Sequence, residues 1–323
     1  MIVREKNFDI RKIAESGQCF RLNEIYEGCW QVLAGDKMLF VTEIDDLQED
    51  DENDLNAERN VYDEYDTYTE RKVGSDDGRN MDAPNIAAFD NEAVIEDHTY
   101  EFSCSKDEYE SFWKSYFDLD TDYTKFINSI DKEDEYLTKA AQYGYGMRIL
   151  RQDPFETLIS FIISQRKNIP AIKASVEKLS RAFGHDIGGD YSFPSVKELS
   201  MAEFWELSKC SLGYRASYIF KTVEMINTGK FDLDKLKSDQ LTSEELTSRL
   251  MALPGVGIKV ANCTSLFGFH RLEAFPRDVW IKRIEDKYYN GHFDEDRYPG
   301  FAGVLQQYMF YYERTKTLKR IKD

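Results

Sequence analysis

The chain has 323 residues, 41% of them hydrophobic and 14% aromatic, and a formal net charge of −18. That composition excludes a disordered chain and allows one large domain or two to three smaller ones. The longest apolar run, Leu158 to Ile163, is broken by Ser160 and is far too short to cross a bilayer, and a net charge of this sign argues against binding a polyanion such as DNA.

In chain order, the opening MIVREKNFDIRK lacks the apolar core of a signal peptide. EIYEG, CWQVLAG and DKMLFVTEI then alternate apolar and polar residues between glycine turns, which predicts short antiparallel strands within residues 1 to 42. From Glu43 to Asp122 there are 27 Asp and Glu but only 6 Lys and Arg, a net of −21, which leaves the rest of the chain at +3. The acidic balance is therefore local. Residues of about 46–97 are poor in aliphatics and are expected to form a solvated, disordered insert, because they cannot bury enough apolar surface to offset the entropy of ordering. A calcium loop or an acidic partner site is the alternative there. Asp118, Asp120 and Asp122 have the acid spacing, but Tyr123 stands where the loop needs glycine.

TYEFS, at 99–103, reads as a returning strand, and Asp122 to Ile130 could cap and begin a helix. Asp153-Pro154 predicts another helix start, with Asp as cap and Pro at the first helical position. Phe155, Leu158, Ile159 and Ile162 follow at helical spacing. Further helices are predicted at about 168–183, 195–208, 215–227, 243–252, 258–268, 279–290 and 298–314. The fold class is α+β: an N-terminal antiparallel β domain, 1–122, carrying the acidic insert, followed by a helical domain, 123–323, with a helix-hairpin-helix at about 243–268. Cys19, Cys29, Cys104, Cys210 and Cys263 form no CxxC pair and are odd in number, so a reducing compartment is expected and a cysteine-bound metal is not.

Leu253-Pro254-Gly255-Val256-Gly257 joins two of the predicted helices. Pro254 ends the first, and Gly255 and Gly257 permit close backbone approach and positive φ. The second helix then starts with bare N–H groups, which suit a phosphate and read no base. An ordinary tight turn is the plainer alternative. Lys259 lies in the first turn of that helix, where the dipole disfavours a cation. Lysine becomes a nucleophile and forms Schiff bases when its surroundings favour the free amine. Cys263, four residues on, shares its face and could equally be a small core residue. Asp278 precedes a predicted helix. It could be an N-cap, or a carboxylate that stabilises positive charge on a sugar.

LPGVGIKVANC followed by PRDVW resembles the helix-hairpin-helix–Gly/Pro–Asp superfamily of DNA glycosylases. Ser16-Gly17-Gln18-Cys19-Phe20-Arg21, Leu150-Arg151-Gln152-Asp153-Pro154-Phe155-Glu156 and Leu212-Gly213-Tyr214-Arg215-Ala216 narrow the resemblance to the 8-oxoguanine DNA glycosylase family, over about residues 8 to 314 without the acidic insert.

The resemblance implies a bifunctional glycosylase/AP lyase acting on duplex DNA with oxidised guanine. Lys259 would attack C1′ and expel the base through a Schiff base. Asp278 would stabilise the oxocarbenium charge and favour the amine of Lys259. The base must leave the stack to be reached. The Gly17 carbonyl would accept from N7–H, which 8-oxoguanine has and guanine lacks. Gln306 would meet the Watson–Crick edge, with Gln307 one frame away, and Phe310 would stack on the base. Cys263 would pack on its other face as a thiolate paired with Lys259. Tyr214 would be the wedge and Arg215 the reader of the orphan cytosine, a helix-start surface pair being the alternative. Asn168 would help fill the hole, and Gly255, Val256 and Gly257 would grip the backbone.

The chain departs from the family pattern in three places. Arg166 and Lys167 replace an Asn-rich run, Ala171 stands where eukaryotic members carry a second cytosine-reading Arg, and Leu22 replaces a Trp. Weaker selectivity for cytosine opposite the lesion is therefore expected. A monofunctional alkyl-base glycosylase and a non-enzymatic DNA-binding module are the alternative functions. Lys259 speaks against the first, and Lys259 with Asp278 and Gly17 against the second. No organic cofactor is implied, although the hairpin carbonyls admit a monovalent cation. A monomeric protein of a bacterial cytoplasm, associated with the nucleoid and not with membrane, is expected.

Overall fold

A computed structural model describes residues 1–44, 98–237 and 240–322, with side chains up to Leu318. The insert expected at 46–97 lies outside the described residues. Within the rest, Met1–Ile44 and the chain from His98 onward belong to one compact unit.

The N-terminal sheet has five strands in the order β1-β5-β4-β3-β2. They are β1 (Ile2–Arg4), β2 (Leu22–Tyr26), β3 (Cys29–Ala34), β4 (Lys37–Ile44) and β5 (Thr99–Phe102), and every pairing is antiparallel. The strands expected from alternation are present, and β1 is added at the edge. Ile44 pairs directly with Thr99, so the two ends of the chain that flank the insert meet in one rung. Phe8, Phe102 and Phe117 pack in mutual contact beneath the sheet, with ring centroids 5.4–6.3 Å apart.

A short helix that alternation did not indicate, α1 (Ile10–Glu15), sits between β1 and β2 and is capped by Asp9. After β5 come α2 (Lys106–Glu108), a π turn at Tyr109–Trp113, and α3 (Lys114–Tyr116). Residues 98–122 are part of the folded body, and β5 is the returning strand expected at 99–103. Asp118 is no calcium ligand there. Its buried carboxylate accepts from Thr121, Tyr123 and Arg151, with His270 at 3.2 Å.

The helical body comprises α4 (Tyr123–Asn128), α5 (Glu135–Tyr143), α6 (Pro154–Ser164), α7 (Ile169–Phe183), α8 (Val196–Ser200), α9 (Phe204–Lys209), α10 (Arg215–Asn227), α11 (Ser243–Leu250), α12 (Ile258–Phe267), α13 (Val279–Tyr288) and α14 (Ala302–Lys322). The single helix expected at 195–208 is two, α8 and α9, each begun by its own capping box, Ser195 with Glu198 and Glu203 with Glu206. Asp153 caps α6 as predicted, its Oδ1 accepting from the amides of Phe155 and Glu156 at 2.9 Å. Helix α6 is apolar nearly all round and forms the central helix, with Leu158, Ile159, Ile162 and Ile163 fully buried. Each such side chain contributes roughly 1.5–3 kcal/mol of burial.

Two polar clamps carry the N-terminal segment to the site. Buried Gln18 donates to the Arg148 carbonyl and accepts from the Leu150 amide, both at 2.8 Å, and its own carbonyl accepts from Gln152. Arg148 donates to the carbonyls of Lys6, Asn7, Asp118 and Thr121 while lying over the Tyr123 ring. The Gly17 turn is thereby fixed against the stretch that leads into α6.

Candidate active site

A cavity of about 500 Å³ opens between the Ser16–Gly17 turn, the ends of α6 and α7, helix α12, the Pro276–Trp280 loop and α14. Gly17, Asn168, Lys259, Cys263, Asp278, Gln306 and Phe310, which come from separate parts of the sequence, all line it.

Helix α12 begins after Gly257 with no side-chain cap, so its first amides are left for an external acceptor. Lys259 projects from this first turn, with Nζ 4.8 Å from the centre of the Phe161 ring. Phe161 is itself stacked on Phe267 at 5.4 Å and edge-on to Phe20 at 5.5 Å. The aromatic face attracts the ammonium and keeps the side chain over the cavity floor.

Cys263 follows one turn later and is buried. Burial pushes its thiol above the ordinary value, and the attraction of Lys259 does not overcome that. Desolvation in this wall thus works against the thiolate–ammonium pair that the resemblance implies, and the charge and hydrogen bond of Lys259 work for it.

Asp278 is at once an N-cap and a cavity wall. Its Oδ1 accepts from the amides of Trp280 and Ile281, both at 2.9 Å, and so starts α13. Burial raises its pKa, opposed by these amides and by Lys259. The cap weighed on the sequence is present, and the same residue lines the cavity of Lys259.

Gly17 has φ +75°, the left-handed region that glycine enters without strain. A Cβ there would stand 3.2 Å from Ile169 Cδ1 and 3.8 Å from Phe310 Cε1, so any side chain would narrow the cavity. Across from it, α14 presents Gln306, Gln307 and Phe310 on one face. Both Gln306 and Gln307 line the cavity, and Gln307 Nε2 donates to Gln306 Oε1 at 2.9 Å.

The remaining expected residues lie at or beyond the mouth. Asn168 caps α7, accepting from the Ala171 amide at 3.0 Å, and its side chain is exposed. Tyr214 and Arg215 are outside the cavity. Tyr214 is half exposed. Arg215 is buried, lies 4.4 Å from the Tyr214 ring, and donates to the carbonyls of Leu212 and Gln165. A surface pair does not describe it.

In the hairpin, Gly255 has φ +76°, and a Cβ would come within 2.3 Å of Tyr218, so close approach and positive φ are both required there. Gly257 differs from expectation. Its φ is −92°, and its value is the open space in front of it. Val256 is buried, and its amide donates to the Leu253 carbonyl at 3.1 Å.

Phe161, Trp280 and Arg314 also line the cavity and were not singled out, and Lys167, noted only as a departure from the family pattern, lines it too. Lys167 donates to the Ser211 carbonyl at 2.7 Å and to Ser175 Oγ, and burial lowers its pKa, with Arg215 adding to the effect. Trp280 was within reach of the sequence, since an Asp cap fixes the residue two places on. Among the described residues no group of His, Cys, Asp and Glu stands where it could hold a metal ion.

Residues 1–158 match the family model of the 8-oxoguanine DNA glycosylase N-terminal domain, and residues 159–297 match that of the HhH-GPD superfamily base excision DNA repair proteins. A probable N-glycosylase/DNA lyase of Methanothermobacter thermautotrophicus is 32% identical over 235 residues, 62% of this chain and 74% of its own. The N-glycosylase/DNA lyase OGG1 of Arabidopsis thaliana is 34% identical over 172 residues, 50% of this chain and 46% of its own length. The Clostridium acetobutylicum 8-oxoguanine glycosylase/lyase, solved with duplex DNA containing cytosine opposite 8-oxoguanine, superposes with a TM-score of 0.75 at 27% identity, covering 98% of both chains.

Proposed function

The chain belongs to the 8-oxoguanine DNA glycosylase family of the helix-hairpin-helix–Gly/Pro–Asp superfamily, and from that premise we infer that it is a bifunctional base-excision repair enzyme, a glycosylase and AP lyase for 8-oxoguanine in duplex DNA. The observation that carries this reading is the meeting of Lys259, Asp278, Gly17, Cys263, Gln306 and Phe310 around one cavity.

Lys259 Nζ, as the free amine, adds to C1′ of the extruded nucleotide. The C1′–N9 bond breaks, and the base leaves with its electron pair and takes up a proton. The nitrogen loses a proton, the sugar ring opens and a Schiff base forms. Removal of a C2′ proton then expels the 3′ phosphate, which nicks the strand, and water releases the lysine. Asp278 stabilises the positive charge that develops on the sugar. Its placement in a desolvated wall strengthens that effect. Burial tends to keep Asp278 protonated, so the amides of Trp280 and Ile281 matter because they favour the carboxylate.

Gly17 and Phe310 are neighbours in the cavity wall, where a base edge and a base face can be met together. The Gly17 carbonyl accepts from N7–H of 8-oxoguanine. Guanine would set its N7 lone pair against that carbonyl and leave it unpaired. The uncapped N-terminus of α12 and the hairpin backbone at Gly255–Gly257 take phosphate. The carbonyls of Leu253, Pro254 and Gly255 each accept one protein donor and keep a lone pair. A monovalent cation there would add positive charge beside the phosphate, and no step depends on it. Tyr214, Arg215 and Asn168 act on the duplex around the vacated position, and the protein works as a monomer.

Borohydride reduction of the Schiff base on an 8-oxoguanine duplex tests the reading. A covalent adduct that depends on Lys259 supports it, and excision without an adduct points to a monofunctional glycosylase.

A further inference from the structure

One side chain ties the wall of the cavity to the loop that carries Tyr214. Lys167 lies between α6 and α7 and lines the cavity of Lys259. Its Nζ reaches out of its own loop. It donates to the Ser211 carbonyl at 2.7 Å, in the turn between α9 and α10 that ends at Tyr214, and to Ser175 Oγ on α7. Lys178, three residues after Ser175, donates to Ser211 Oγ at 2.9 Å. In the opposite direction Arg215 donates to the Gln165 carbonyl, and Gln165 Nε2 donates to the Gly255 carbonyl of the hairpin at 3.1 Å. The α6–α7 loop is therefore bonded to both of the other loops that the proposed function sets against the duplex.

Both ends of the Lys167 tie hold a residue in the left-handed region. Arg166 has φ +54° and Ser211 φ +59°, and neither is glycine. Such conformations cost energy and persist where their surroundings over-determine them. Here the surroundings are the bonds just described. Gln165 and Lys167, on either side of Arg166, are each fastened to another loop, and two ammonium groups hold Ser211. The choice of an amine for this fastening is costly. Burial lowers the pKa of Lys167, and the nearby charges of Arg215 and Lys178 lower it further. A neutral donor would hold the same carbonyl without that repulsion.

We propose that Lys167 is a positioning residue, which fastens the α9–α10 turn to the cavity wall so that Tyr214 enters the stack in register with the nucleotide that the cavity receives. The inference rests on the proposed reading of Tyr214 as a residue that acts at the vacated position. It goes beyond that reading by giving work to a residue at which the chain departs from the family pattern. Phosphates of a bound duplex offset the mutual repulsion of Lys167, Lys178 and Arg215, so the tie is firmest in the complex, where the wedge is needed.

The test is single-turnover excision, with enzyme in excess, from two duplexes. One carries 8-oxoguanine opposite cytosine. The other carries it opposite an abasic-site analogue, where there is no base pair to break and the wedge has less to do. Lys167→Met should slow excision opposite cytosine by about tenfold, the worth of a charge-assisted hydrogen bond, and stay within about threefold of wild type opposite the abasic analogue. Tyr214→Ala should show the same pattern. The double variant should lie within about twofold of Tyr214→Ala alone, because a tie that works through the wedge has nothing left to hold. Ser175→Ala disturbs the same corner but spares the bond to Ser211, so it should stay within about twofold of wild type on both duplexes. Should Lys167→Met fail to fold, Lys167→Gln carries the same expectations.

Equal losses on the two duplexes would mark Lys167 as merely structural and overturn the proposal. So would an unchanged rate opposite cytosine, losses that multiply in the double variant, or a Ser175→Ala defect as large as that of Lys167→Met. Tyr214→Ala as fast as wild type opposite cytosine would remove the wedge and the proposal with it. A wild type that binds both duplexes and excises 8-oxoguanine from neither would instead overturn the functional reading beneath it.

Discussion

Replacement of Asp278 separates its two jobs, because Asn and Ala differ in what they keep. Asp278 Oδ1 accepts from the amides of Trp280 and Ile281 at 2.9 Å. Asn supplies an equivalent oxygen and ranks with Asp as an N-cap, whereas Ala forfeits the cap at about 0.5–2 kcal/mol. Asp278→Asn also gives up a charge–dipole attraction of about 0.3–1 kcal/mol, but it relieves the desolvation that raises the carboxyl pKa. These nearly cancel. Asp278→Asn should therefore melt within about 1 °C of wild type, and Asp278→Ala about 1–3 °C lower. Chemistry should divide differently. Both variants remove the charge facing the sugar, and loss of one preorganised electrostatic partner costs about 10²–10³ in rate. Single-turnover excision of 8-oxoguanine should fall by that factor in both, while duplex affinity stays near wild type. The acid limb of the wild-type profile should lie above the ordinary Asp value, since burial raises this pKa and the active form is the carboxylate. Excision by Asp278→Asn within threefold of wild type would refute the catalytic role, and unfolding of Asp278→Asn would refute the reasoning about the cap.

Three further outcomes are expected. Arg215 spends donors on the carbonyls of Leu212 and Gln165, and Ala171 offers no second guanidinium. Excision opposite cytosine should therefore exceed excision opposite adenine by less than about a hundredfold, roughly 3 kcal/mol, and a larger ratio in paired single-turnover assays would contradict this. Burial raises the Glu156 pKa to about 8, with Asp153 and Glu177 adding to the shift. The folded state then binds the extra proton, so this residue contributes stability below the unfolded carboxylate range that is lost as pH rises through about 8. Melting temperatures from pH 5 to 8.5 should fall with pH in wild type and flatten in Glu156→Gln, and an unchanged slope would locate the titration elsewhere. Residues 46–97 carry 18 Asp and Glu against 4 Lys and Arg, and Ile44 already pairs with Thr99 across the gap. Replacing the segment with a short turn should leave the melting transition intact and tighten non-specific DNA binding at low salt, whereas loss of folding would show the segment to be structural.

Much of this was legible in the sequence, because the legible parts are local. The Asp153-Pro154 start of α6 and the LPGVG turn rest on caps and glycine chemistry confined to a few residues. The split of α8 from α9 was also written locally, in two capping boxes, but the apolar spacing across 195–208 masked it. What could not be read was the balance of long-range terms. Whether Cys263 is a thiol or a thiolate depends on how far the wall around it excludes water. Asp278 looked like a choice between cap and catalyst, because one dimension does not show that the start of α13 opens into the cavity of Lys259. The ring of Phe161 under Lys259 likewise arises only when α6 and α12 are packed together.

The central claim is that Lys259 forms the bond to the sugar. Incubation of the full chain with an 8-oxoguanine duplex and borohydride, followed by denaturing electrophoresis and peptide mapping, measures it directly. The account predicts one covalent protein–DNA adduct, attached at Lys259 and absent in Lys259→Gln, whose folding should be unaffected because the side chain lines the open cavity and rests on the Phe161 ring. An adduct of undiminished yield in Lys259→Gln, or 8-oxoguanine excision by wild type with no adduct at all, would contradict it.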